Sequence, residues 1–228
     1  MSVNDSLQHW LQLAESHLLL DQLKPAEKYF RKASREDPTH LRVLLGLARI
    51  AQKRGKIREA MQQVEYALKV DPQHLPALLL LAELYRSQQA PLRALPLLEK
   101  AYEIVPENPE ALLGLAQILV ALQNWDRARF FAKLLIQLKP DMLTAWETFR
   151  DLSAGEGDIL NFAEASNQIA RLDPQRSAEG LKDDELQRQW ETLSLTSHPD
   201  EALLLPDYSP QELEVQIQAL KQAYHQES

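Results

Sequence analysis

The residues able to do chemistry in this chain are its histidines and its acidic and basic clusters, and their spacing decides what they could do. His40 and His74 stand 34 positions apart in matching contexts, "DPTHL" and "DPQHL". A zinc site needs about four ligands brought together at short, regular spacing, and neither histidine has partners at ligand spacing. The run Asp183, Asp184, Glu185 precedes an apolar helical pattern, where carboxylates complement the positive end of a helix. The basic run "KRGKIR" at 53–58 has the composition of a solvated turn, or of a site for an acidic partner. The chain contains no cysteine, which excludes disulfides, zinc–thiolate centres and thiol nucleophiles. It has six scattered glycines and lacks a Gly-rich phosphate loop, an H-E-x-x-H helix and a G-x-S-x-G elbow. The expectation is therefore no enzyme, no cofactor and no metal. A formal net charge of −8 also disfavours nucleic acid as a partner.

What remains is a surface, and the elements that would build it are helices. Leu, Ala, Gln and Glu dominate the 228 residues and β-branched residues are sparse, so the fold class expected is all-α. The start "MSVNDSLQHW" has no basic segment leading into an apolar core. The apolar stretch "LPALLLLAELY" is interrupted by Pro76 and Glu83, well short of the roughly 20 apolar residues of a membrane span. A cytoplasmic protein without a membrane span is expected.

A period organises the chain. Pro38, Pro72, Pro106, Pro140 and Pro174 recur every 34 residues without a slip, as do Ala26, Ala60, Ala94 and Ala128. Earlier in each unit run Ala14, Ala48, Ala82 and Ala116, each preceded by leucine. Each unit thus reads as two amphipathic helices, A and B, whose small residues let the backbones approach while large apolar residues fill the grooves between them. Proline after helix B removes an amide donor and turns the chain into the next unit.

A 34-residue helix–turn–helix unit with these residues resembles the tetratricopeptide repeat. The resemblance covers 7–40, 41–74, 75–108 and 109–142, with a degenerate fifth unit at 143–176. The family's aromatic near the start of helix A appears as Trp10 and Trp146, with Leu44, Leu78 and Leu112 between. Its Ala–large–Ala pattern in helix B appears as Ala26–Phe30–Ala33, Ala60–Val64–Ala67 and Ala94–Leu98–Ala101. The fifth unit departs, with Arg150 and Phe162 where small residues belong and "AGEGD" expected to loosen its turn. The resemblance implies a right-handed α-solenoid whose concave surface, lined by the A helices, binds a peptide or helix of a partner protein.

In that register the fifth place of each unit gives Leu11, Leu45, Leu79 and Leu113, the ninth Glu15, Arg49, Glu83 and Gln117, and the twelfth Leu18, Gln52, Arg86 and Val120. Chaperone-adaptor members hold a terminal carboxylate with Lys and Asn at the fifth and ninth places. With leucine at the fifth place here, that clamp is not expected. The leucines read either as filler between neighbouring A helices or as an apolar trough for an amphipathic helix or apolar segment. Residues 177–228 leave the period. They are expected to give a capping helix around Leu186, Trp190 and Leu193, a loop, and a final helix with Leu213, Ile217, Leu220 and Tyr224 on one face. The expected function is a protein-binding adaptor or assembly factor. The alternatives are the helical targeting region of a larger glycosyl- or sulfotransferase, and a homo-oligomeric scaffold assembled through the last helix.

Overall fold

The computed structural model describes residues 3–174, with side chains from residue 6 onward. The expected C-terminal cap, loop and final helix lie outside the described residues. Within them the chain forms α1 (Val3–Leu19), α2 (Leu23–Glu36), α3 (Leu41–Lys53), α4 (Ile57–Val70), α5 (Leu75–Ser87), α6 (Pro91–Ile104), α7 (Pro109–Ala121), α8 (Trp125–Leu138), α9 (Leu143–Glu156) and α10 (Ile159–Leu172), with no strand among them.

Odd-numbered A helices and even-numbered B helices pack as antiparallel neighbours, and each B helix also packs on the A helix that follows it. Ala14, Ala48 and Ala116 of the A helices, and Ala26, Ala60, Ala94 and Ala128 of the B helices, are fully buried, while Ala82 is 2% exposed. Closeness is greatest where glycine replaces alanine. A Cβ on Gly46 would lie 2.2 Å from the Phe30 ring, so the next A helix rests directly on that aromatic face.

The Asp-Pro endings have a local cause. Proline pushes the residue before it out of the helical region, and Asp37 (φ −143°, ψ 100°) and Asp71 (φ −136°, ψ 100°) are extended accordingly. Each aspartate then turns its carboxylate onto the amide two residues ahead, Thr39 at 2.9 Å and Gln73 at 3.0 Å, closing an Asx turn. The Thr39 hydroxyl and amide together hold the Asp37 carboxyl below its usual range.

The turn between A and B has a period of its own. Asp21, Gly55, Gln89, Gln123 and Gly157 all take positive φ, between 53° and 73°, and they too recur every 34 residues. The fifth pair differs from the expectation of a loosened turn: α9 continues through Ala154–Gly155–Glu156 and stops at Gly157. The reason is packing, because a Cβ on Gly155 would meet the Trp125 indole at 2.7 Å. Arg150 is half-buried where the other units bury alanine.

One ion-pair cluster ties the first two pairs together. Glu27 accepts from Arg31 and pairs with Arg54, both at 2.6 Å. Burial raises its carboxyl pKa, but the Arg54 hydrogen bond and the charges of Arg31 and Arg54 outweigh that and hold it below the ordinary value. A depressed carboxylate stabilises above its unfolded pKa and loses that contribution as pH falls through the folded value. Glu27→Gln should therefore lower stability by about 1 kcal/mol near neutral pH, and thermal melts should show the gap closing as pH falls below the ordinary carboxylate range and through the depressed Glu27 pKa. At the turn, a non-glycine in the left-handed region costs about 1–2 kcal/mol, partly offset by the backbone freedom glycine brings to the unfolded chain. Gln89→Gly should accordingly raise stability by roughly 0.5–1 kcal/mol in denaturant titrations.

Candidate functional site

Because each B helix sits outside its own A helix, the A helices come together along one side. α1 touches α3, α5 touches α7 and α7 touches α9, whereas no B helix makes a comparable contact with the next B helix among the described residues. The inner side so formed is an open groove of about 1000 Å³.

Of the expected site residues, Glu15, Leu18, Arg49, Leu79, Glu83, Arg86, Leu113 and Gln117 line this groove. Val120 is half-buried beyond its edge. Leu11 and Leu45 do not belong to it. Leu11 is fully buried and Leu45 only 8% exposed, so the filler reading applies to these two and the trough reading fails for them. The difference lies in the helix that follows. Leu11 shares a cluster with Val43 and Ile50 of α3, and Leu45 with Leu80 and Leu84 of α5. Leu79 instead sits at the edge of two clusters and shares the groove lining with Gly114, which has no side chain to cover it where α5 offers Leu80 to Leu45. Leu113 likewise sits half-buried at the edge of the cluster that runs into α9. Groove residues missed in the sequence include Leu19, Pro76 and Glu110. Gly114, at the place where α5 carries Leu80, is the available signal for the opening beside Leu79.

Polar side chains form a ladder across the A helices. Gln52 Nε2 donates to Glu83 Oε1 at 2.8 Å and Arg86 Nη1 to Gln117 Oε1 at 2.9 Å, each from the twelfth place of one unit to the ninth of the next. Gln117 continues to the Thr148 hydroxyl at 3.5 Å. At the first unit Glu15 is gripped by Arg42 through two hydrogen bonds of 2.9 and 2.6 Å, and that hydrogen bonding, with the carboxylate's charge, strengthens the guanidinium's hold on its proton against partial burial.

The histidines stand apart from this surface. His40 and His74 occupy the positions just before α3 and α5 and are half-buried, with each Nδ1 buried and unbonded among the described residues. Among the described residues no group of three or more His, Asp or Glu side chains is placed to hold a metal ion. No helix among them is long and apolar enough to cross a membrane.

Paired helices repeating every 34 residues around an open inner groove define a helical-repeat solenoid, a class built to hold other proteins. Tetratricopeptide repeat models match residues 17–66 and 85–147, and a second such model matches 45–109. The chain belongs to the tetratricopeptide repeat family. No curated protein matches it. Among solved structures it is similar to MamA, with TM-score 0.63 and 14% identity over 77% of this chain and 96% of that one. It is also similar to YrrB, with TM-score 0.62 and 16% identity over 77% and 94%. A tetratricopeptide repeat protein from Parabacteroides merdae gives TM-score 0.64 and 20% identity over 84% and 73%.

Burial separates the leucines experimentally. Leu45→Asp would place a carboxylate between α3 and α5 without a partner, and should cost about 3 kcal/mol or more. A urea midpoint well below the wild-type value is the expected result.

Proposed function

We propose that this chain is a non-enzymatic adaptor or assembly scaffold that holds an apolar peptide or amphipathic helix of a partner protein in its inner groove. The observation that carries this reading is the pair of half-open leucines, Leu79 and Leu113, in an open groove whose polar side chains are already largely engaged with one another. Apolar surface left open beside a satisfied polar rim gains free energy only when something covers it. YrrB, similar in fold, is described as having an unusual peptide-binding site, which supports the peptide reading by analogy. The proposal keeps the cytosolic setting expected from the sequence.

Leu79→Asp with Leu113→Asp tests it. Both side chains are half-open, so the carboxylates remain hydrated in the free protein and should cost roughly 1–2 kcal/mol together. A partner helix would have to bury them. Proteins crosslinked to the wild type in native extract should be absent from the double variant, although circular dichroism shows both equally helical. Undiminished capture of the same proteins by the double variant would overturn the reading.

A further inference from the structure

Nearly every charged or amide side chain in the groove has a partner, and the exceptions are informative. Glu15 is held by Arg42, Lys53 by Asp21 at 2.6 Å, Gln52 by Glu83, and Arg86 by Gln117. Glu83 and Arg86 have neutral partners, but they lie three residues apart on α5, so their charges offset each other. Arg49 and Glu110 both line the groove, both are exposed, and neither has a hydrogen bond or ion pair among the described residues. Arg49 is free for a specific reason. It stands at the ninth place of its unit, where Glu83 and Gln117 receive the ladder bond, and the twelfth place before it is Leu18, which has nothing to offer. The ladder therefore breaks at one point and leaves a guanidinium whose donors are unused among the described residues.

The two free charges have opposite sign and flank the open leucines. Arg49 is on α3 and Glu110 on α7, two A-helix spacings apart and seven residues apart along the helix direction. With spacings of about 8–10 Å and a rise of about 1.5 Å per residue, they are separated by about 20 Å. About six extended residues span that distance.

Resting on the groove reading above, we propose that the groove takes an oriented, dipolar segment of its partner: an acidic side chain against Arg49, apolar side chains over Leu79 and Leu113, and a basic side chain against Glu110. A guanidinium and a carboxylate in one groove select charge order as well as composition, because the reversed segment sets like charge against like at both ends. An end carboxylate of a peptide offers the acidic group as well as a side chain does, and peptides with amidated ends separate the two sources.

The probe is a phage-displayed library of random dodecapeptides selected on the wild type, on Arg49→Glu, on Glu110→Lys and on the double swap. Peptides from the wild type should carry an acid and a base on either side of an apolar block. As synthetic peptides with amidated ends, they should lose about tenfold or more in affinity for either single variant. Selection on Arg49→Glu should enrich peptides with two bases, and on Glu110→Lys peptides with two acids. The double swap should recover acid–apolar–base peptides in the reverse chain order. Peptides that need Leu79, as tested with Leu79→Asp, but keep the same charges in all four selections would overturn the dipolar inference and leave the groove reading standing. A selection yielding only peptides indifferent to Leu79→Asp would overturn the groove reading and this inference with it. Loss of affinity on amidation alone, with no response to Arg49→Glu, would also overturn the assignment to Arg49.

Discussion

Everything in this molecule depends on how closely two helices of about 14 residues can lie against each other. An isolated helix of that length is marginal in water, and a single pair still leaves one flank of each helix uncovered. The fully buried alanines of each pair bring the backbones close enough for large neighbours to close the remaining space. The next pair then supplies the missing flank. Phe30 of α2 lies in one cluster with Val43 and Ile50 of α3, and a single larger cluster runs from α5 to α10. Stability is shared along the array in this way, each pair folded by its neighbours. The groove is a by-product of the same packing, because bringing A helices together on one side leaves the B helices on the other.

The polar ladder shapes that groove more than it stabilises the fold. Its Gln52–Glu83 and Arg86–Gln117 bonds lie at the solvent-exposed surface, and such contacts are worth at most about 1 kcal/mol each. Their effect is geometric: long side chains that would otherwise sample the trough are tied from one A helix to the next. Gln52 is tied to Glu83 and Arg86 to Gln117. Where the twelfth place is apolar, as at Leu18, the tie is missing and the ninth-place side chain is left facing solvent.

The architecture was legible because it rests on residue types. Only alanine or glycine fits where helices touch, and only proline combines a missing donor with a fixed φ, so both leave ladders that survive any change between them. The turn conformation left a weaker trace. Positive φ recurs at 21, 55, 89, 123 and 157, but only Gly55 and Gly157 announce it, while Asp21, Gln89 and Gln123 are held there by the helices on either side. The division among the groove leucines was not legible position by position. Leu11, Leu45, Leu79 and Leu113 are the same residue at the same place, and what separates them is the size of side chains on a helix about 34 residues further on. Burial at this surface is a property of the pair of helices, and a reading that treats each unit alone assigns all four leucines one role.

On the proposed groove reading, that division also sets what a partner would have to do. Leu11 and Leu45 have already contributed their burial to folding, so they add nothing on binding. Covering a leucine from full exposure is worth about 1.5–3 kcal/mol, and Leu79 and Leu113, already half-covered, can return only part of that. Micromolar affinity needs about 8 kcal/mol after the cost of association, more than those two side chains supply. The largest unclaimed apolar increment in the groove is Leu19, which is 87% exposed and sits at the end of α1 beside the break in the ladder. A ligand confined to the centre would leave that side chain in water and the Arg49 guanidinium unmet. On the groove reading proposed above, the largest apolar surplus and one free charge lie toward the first two helix pairs while the other free charge, Glu110, lies on α7, so a tightly held segment would extend from Glu110 past Arg49 to Leu19.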